Sequence, residues 1–336
     1  MTSTRTAGAR PADAAPVPGG ATPRRTLLHG LPWLVWRRHR TFLLLVLLTT
    51  AVGCVTFVCR RAGLTDFLHT HGTAPDAHGN LNNSFEHAYG QLFSGGRQLL
   101  TYLPVVAGVF LGAPLIAAEQ EHRTLTLVST QSVSRGRWAA ATIGLPLAVI
   151  ALCTALLSAA FTWLWAPAHL LAMGGDWLAS GLFESTGPVP VAWALFLTVC
   201  GIALGMLVKR TVPAMAGAFV LAMVTSVLWS ERLRSRLGTL RSISYPFDSE
   251  GPSLPSGAVR VDDWVSTADG RLYGYGTCTT GDTEGCRAKL GIVHHVAQYF
   301  DYEQMAGMQW RGAGILLALT ALVLAFVVWR IRRRPL

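Results

Sequence analysis

Six stretches of this chain are long, apolar and free of acidic or basic side chains. Each is close to the roughly 20 residues a helix needs to cross the hydrocarbon core of a bilayer. They are residues 41–59 (TFLLLVLLTTAVGCVTFVC), 100–118, 139–165, 189–208, 212–229 and 312–329. Soluble helical cores seldom hold charge-free runs of this length in such number, so the sequence is written for lipid rather than water. Composition agrees: 14% of residues are charged, against about 25% in soluble domains. The expected fold is all-α integral membrane, with six transmembrane helices. Prolines fall at Pro104 and Pro114 in the second run and near the starts of the third and fifth, at Pro146 and Pro213. Membrane helices tolerate proline where neighbouring helices repair the freed backbone groups. The first pair is placed to kink its helix, and the second pair fits a capping role equally well.

The distribution of basic residues gives an orientation. Of 28 lysines and arginines, sixteen lie in residues 1–40, in the connection between runs two and three, in the Lys209-Arg210 turn, and in the tail with Arg330, Arg332, Arg333 and Arg334. Positive residues are retained inside, so both termini are expected in the cytoplasm. Arg60-Arg61 after the first run argues the other way and is outvoted. The loop between runs five and six, residues 230–311, is too long for its charges to count heavily and is expected to be extracellular. Residues 1–25 are rich in Thr, Ala, Pro, Gly and Arg without periodicity, as in a disordered tail. They lack the apolar core of a signal peptide. Residues 27–40, LLHGLPWLVWRRHR, read either as a short helix in the inner interface or as the basic, aromatic flank of the first span.

Residues 108–138, GVFLGAPLIAAEQEHRTLTLVSTQSVSRGRW, carry the most information. The apolar run stops at Glu119. Glu121, His122 and Arg123 follow, then Thr124, Thr126, Thr130, Gln131, Ser132 and Ser134, then Arg135, Arg137 and Trp138. Acids at the start and bases at the end suit a helix macrodipole. Glu119 at the membrane edge needs a partner, and Arg123 stands at i+4. For the closing Arg135, Arg137 and Trp138 taken alone, membrane orientation and an interfacial tryptophan suffice as an explanation.

This stretch resembles type-2 ABC transporter permeases, especially actinobacterial ones. The match runs in fixed register through Gly112-Ala113-Pro114-Leu115, Ala117, Glu119, Glu121, Thr124, Leu127, Thr130-Gln131-Ser132-Val133-Ser134-Arg135, Arg137 and Trp138. It departs at Ala118, where the family usually has arginine, and at Arg123, where it usually has glycine. Fainter likeness extends to the tryptophan-bearing lead into the first span, to Asp263-Trp264-Val265-Ser266 and to the final arginine-rich tail. The resemblance implies a permease domain over residues 26–336, with no nucleotide site of its own and a coupling segment at 119–138 that docks on a separate ATPase. Glu119, Glu121, Arg123, Thr124, Gln131, Ser132, Arg135, Arg137 and Trp138 are the candidate docking residues. ATP and Mg²⁺ would belong to that ATPase, with no cofactor in this chain. A second permease copy or paralogue would complete a dimer in the bacterial cell membrane. The sequence has no G-x-x-x-x-G-K-[ST] phosphate loop, which agrees.

Cys278 and Cys286 lie in the turn-rich GYGTCTTGDTEGCRAK, on the side assigned to the exterior, where a disulfide persists. Cys54, Cys59, Cys153 and Cys200 lie in or at spans and read as small apolar packing residues. His69, His71, His78 and His87, with Asp66, Asp76 and Glu86, are spaced too irregularly for a metal site and read as solvated loop side chains. Residues 296–310, VAQYFDYEQMAGMQW, are expected to form a short interfacial helix before the last span. Three rival functions remain: a non-transport membrane partner of immunity or sensor type, an intramembrane enzyme, and a proton-coupled transporter, which the lack of carboxylates within the spans disfavours. The second conflicts with spans almost free of ionisable groups.

Overall fold

The computed structural model describes residues 31–73, 75, 79–121, 135–249, 251–279 and 281–333. The expected disordered tail and most of the coupling segment, including Arg123, Thr124, Gln131 and Ser132, lie outside the described residues.

Six helices are long and apolar enough to cross a membrane: Val35–His71, Asn80–Glu121, Ala139–Ala168, Val189–Val208, Thr211–Arg236 and Tyr302–Arg333. We number these spans one to six. Several outrun the apolar runs that define them. Helix α1, Leu31–His71, has 41 residues, about 60 Å at 1.5 Å per residue, roughly twice the hydrocarbon thickness. The helix is continuous from residue 31 into span one, so residues 31–40 are the lead of that span rather than a separate interfacial helix. The first connection shrinks to the segment between His71 and Asn80, because α2 (Asn80–Val106) also starts early. Arg61, part of the contrary charge signal, packs on span three. Its guanidinium lies 4.2 Å from the ring centroid of Trp163 on span three, a cation–π contact that seats a cation beside apolar surface.

Span two is not uniform. Helix α2 passes into a π-helical turn, Ala107–Gly112, and then α3, Ala113–Glu121. The Ala113 amide donates to the Gly108 carbonyl, five residues back. The turn sits between Pro104 and Pro114. Each proline removes the amide that would satisfy a carbonyl four residues earlier, and a π-turn is a recognised way of re-registering the ladder. The expected kink thus takes the form of a one-residue bulge.

That bulge packs on span four, α6 (Val189–Val208). Two G-x-x-x-G pairs face each other, Gly108/Gly112 on span two and Gly201/Gly205 on span four. A Cβ at Gly112 would collide with the Thr198 carbonyl, one at Gly201 with the Gly108 carbonyl, and one at Gly205 with the Ala113 carbonyl. In lipid no water is released by helix contact, so close backbone approach and van der Waals packing hold helices together. Span four is accordingly central, with 72% of its apolar window buried, against 17% for span five and 22% for span one. Span three begins with α4, Arg135–Trp165. Spans one to three meet through phenylalanines: Phe57 and Phe161 ring centroids are 5.3 Å apart, Phe93 and Phe161 6.2 Å, and Phe85 and Phe93 5.7 Å.

The expectation of an all-α chain fails between spans five and six. After α7 (Thr211–Leu228), which ends in a π-turn at Trp229–Leu233, the chain folds into a four-stranded antiparallel sheet of order β1-β4-β2-β3. The strands are β1 Arg241–Pro246, β2 Val259–Thr267, β3 Leu272–Gly274 and β4 Ile292–Phe300. Helix α8, Thr283–Leu290, precedes β4; its N-cap Asp282 accepts from the Gly285 amide at 2.9 Å. Residues 296–300, expected in a helix, belong to β4. Val296, Ala297, Tyr299 and Phe300 are buried there, and the first helical residue is Tyr302 of α9, Tyr302–Arg333.

The sheet docks on the segment joining spans three and four, which holds the short helix α5, Leu182–Ser185. The buried Trp177 indole donates to the Gly257 carbonyl at 3.0 Å. The Gln309 amide of α9 donates to Thr186 Oγ1 at 2.8 Å and to the Phe183 carbonyl at 3.1 Å. The bundle thus has a sheet end and an opposite end, where spans two and five meet.

Candidate functional site

At the opposite end, span two finishes in α3 with two carboxylates. Glu119 is buried, and its Oε1 accepts from Arg38 Nη1 at 2.6 Å. Arg38 lies near the start of span one, so the pair ties the foot of span two to its neighbour. A carboxylate at this depth is costly without such a partner. Glu121 turns to span five. Its Oε2 accepts from the Thr211 amide at 3.0 Å and from the Thr211 hydroxyl at 2.7 Å. Thr211 is the first residue of α7, whose opening amides have no intrahelical acceptor. An anion there meets both a free donor and the positive end of the helix dipole. The turn that delivers Thr211 is tight: Lys209 is left-handed at φ 61°.

Two adjacent carboxylates therefore bind one helix end to two different spans. After Glu121 the described residues resume at Arg135, with Arg137 and Trp138 on the same opening turn of α4. Arg38 and Thr211 were not singled out from the sequence. The signal available for Thr211 was a Thr-Val-Pro helix start after a Lys-Arg turn. For Arg38, 81 residues from its partner, only the excess of arginine before span one pointed to it. Cys278 and Cys286 are joined by a disulfide with Cα atoms 5.6 Å apart, linking the turn after β3 to α8. Among the described residues no group of His, Cys, Asp or Glu is arranged to hold a metal.

A family model described as ABC-2 membrane transporter related matches residues 47–234, more than half of the chain. The chain belongs to this family. The matched region runs from span one to the end of span five and contains the glycine seam, both carboxylates and Thr211. This ABC-2 permease is a transmembrane transporter component and a multi-pass protein of the cell membrane. Membership implies an ABC ATPase subunit as partner. No curated protein and no solved structure gives a significant match to the permease.

Proposed function

We propose that this permease couples ATP hydrolysis by a separate ABC ATPase to efflux of a substrate, and that residues 119–138 are the docking segment. The observation that carries the reading is the double tether at the foot of span two, Glu119 to Arg38 and Glu121 to Thr211. A segment leaving a helix end fixed to spans one and five passes any push to both, whereas a free loop would absorb it. In this reading the opposite end of the bundle, with both chain termini, faces the cytoplasm. The sheet lies outside, where the Cys278–Cys286 bridge is stable. Gln131, Ser132 and Thr124 supply hydrogen bonds to the ATPase, Arg123 assists the tether, and Arg135, Arg137 and Trp138 anchor the return into span three. ATP and Mg²⁺ stay in the partner, and this chain performs no catalysis. The exposed apolar faces of spans one and five are where a second permease copy would pack.

The test is co-expression with the neighbouring ATPase, purification of the complex and measurement of ATPase activity and vesicle transport. Glu119→Gln, which gives up part of the stability the Arg38 pair supplies, and Gln131→Ala are both expected to insert and assemble, yet to lose about tenfold of permease-dependent ATPase stimulation, the scale of one lost contact of about 1.4 kcal/mol. Stimulation and transport at the unmodified level in both variants would remove the docking assignment.

A further inference from the structure

At the sheet end, spans two, four and five close with α5 around a cavity of about 180 Å³. An apolar cavity of about 150 Å³ is enough to bind benzene. Its walls are mostly apolar, from Leu100 and Val105 of span two, Trp193 and Leu197 of span four and Trp229 of span five. Three charged residues also line it: Arg97, Glu184 and Arg234.

Two of these cancel. Arg234 Nη1 lies 3.3 Å from Glu184 Oε1, which also accepts from the Trp229 indole at 3.2 Å. Arg234 donates a further bond to the Leu178 carbonyl at 2.9 Å. Burial pushes the Glu184 carboxyl up, and the adjacent Arg234 opposes that shift. Arg97 is different. Its Nε is buried without a hydrogen-bond partner, and among the described residues no carboxylate pairs with it. A guanidinium stays charged under all ordinary conditions; Arg97 is half-buried, and its Nε is the buried donor left unmet, which is costly. The cavity is therefore mostly apolar, with one half-buried positive charge that no carboxylate among the described residues balances.

We propose that this cavity binds an amphipathic monoanion, its carboxylate or phosphate head on Arg97 and an apolar group about the size of a benzene ring against Leu100, Trp193 and Leu197. A neutral ligand of the same shape leaves Arg97 unmet, and a cation is repelled. Such an anion has two sources, an anionic phospholipid of the surrounding leaflet or a free hydrophobic acid. Binding here needs no ATPase, so it stands or falls separately from the coupling proposal.

The experiment uses the full-length protein in detergent, titrated with ω-bromohexanoate and, as the uncharged control, ω-bromohexanol. Bromine quenches tryptophan fluorescence on contact, and Trp193 and Trp229 line the cavity. Saturable quenching by the acid is expected, at least about tenfold weaker in affinity for the alcohol and for Arg97→Gln, as for one lost charge-assisted bond. Arg97→Lys keeps binding within that factor, and Trp193→Phe lowers the quenching amplitude. The same titration in nanodiscs identifies the source. Loss of acid binding when phosphatidylglycerol replaces phosphatidylcholine assigns the site to lipid, and retained binding assigns it to a free acid. Equal quenching by acid and alcohol, or an unchanged titration in well-folded Arg97→Gln, overturns the proposal.

Discussion

Single side chains in this permease act chiefly by joining elements far apart in sequence. Arg38 and Glu119 show this most directly. Arg38 is partly exposed and Glu119 buried, so Arg38→Leu is expected to lower the unfolding free energy in detergent by about 1–2 kcal/mol, between an exposed pair and a fully buried one. The reversed pair, Arg38→Glu with Glu119→Arg, recovers part of that loss in a double-mutant cycle. A coupling energy near zero would mean that the contact contributes nothing.

His295 on β4 is a second case. It stacks on Phe247 with ring centroids 4.1 Å apart, near Tyr245 and Tyr275. Partial burial and then Arg287 of α8 hold its pKa below the ordinary 6.5, against the opposite pull of Asp263 and Asp248. Unfolded chains then take up this proton at higher pH than the native sheet. Stability from His295 is complete above about pH 6.5 and is lost as pH falls toward the native pKa. Protection factors of the β4 amides, which remove the intrinsic pH dependence of exchange, should fall on acidification through that window, and His295→Gln should flatten the slope.

Elements differ in how openly they declare themselves. The six spans were legible because lipid demands length and absence of charge, which a linear reading detects. Their ends were not, since polar helix beyond the apolar runs, as in residues 60–71 and 80–99, resembles loop. The sheet was missed for a different reason. In β4, IVHHVAQYF, buried positions do not alternate simply with exposed ones, and the strand runs almost directly into α9, so its apolar residues were assigned to that helix. At the site, Glu119 and Glu121 were legible from the motif. Their partners were not, because contacts across 81 and 90 positions leave no local pattern. The glycine seam between spans two and four was visible as paired G-x-x-x-G spacing but was not drawn upon. Its prediction is steric. Gly201→Val forces a side chain onto the Gly108 carbonyl and should cost about 1–3 kcal/mol or more, read as a fall in detergent melting temperature. Gly314→Val, with open space around it, should be nearly silent.

For the whole molecule, orientation is the property to measure. A cysteine introduced at Ser132 should react with impermeant thiol reagents only from the cytoplasmic face. Cys278 and Cys286 should become reactive from outside only after reduction. Labelling of position 132 from outside would invert the proposed topology. The sheet also restricts how such a bundle moves. Strand β1 begins five residues after Arg236 of span five, β4 ends two residues before Tyr302 of span six, and the two strands pair from Arg241 with Tyr299 to Pro246 with His294. Arg241 with Asp301, and Arg311 with the Leu237 carbonyl, fasten the same junction. Spans five and six are thereby laced at one rim like the two boards of a bound book. They can swing at the far rim, but any parting of the bundle on the sheet side must run along some other seam.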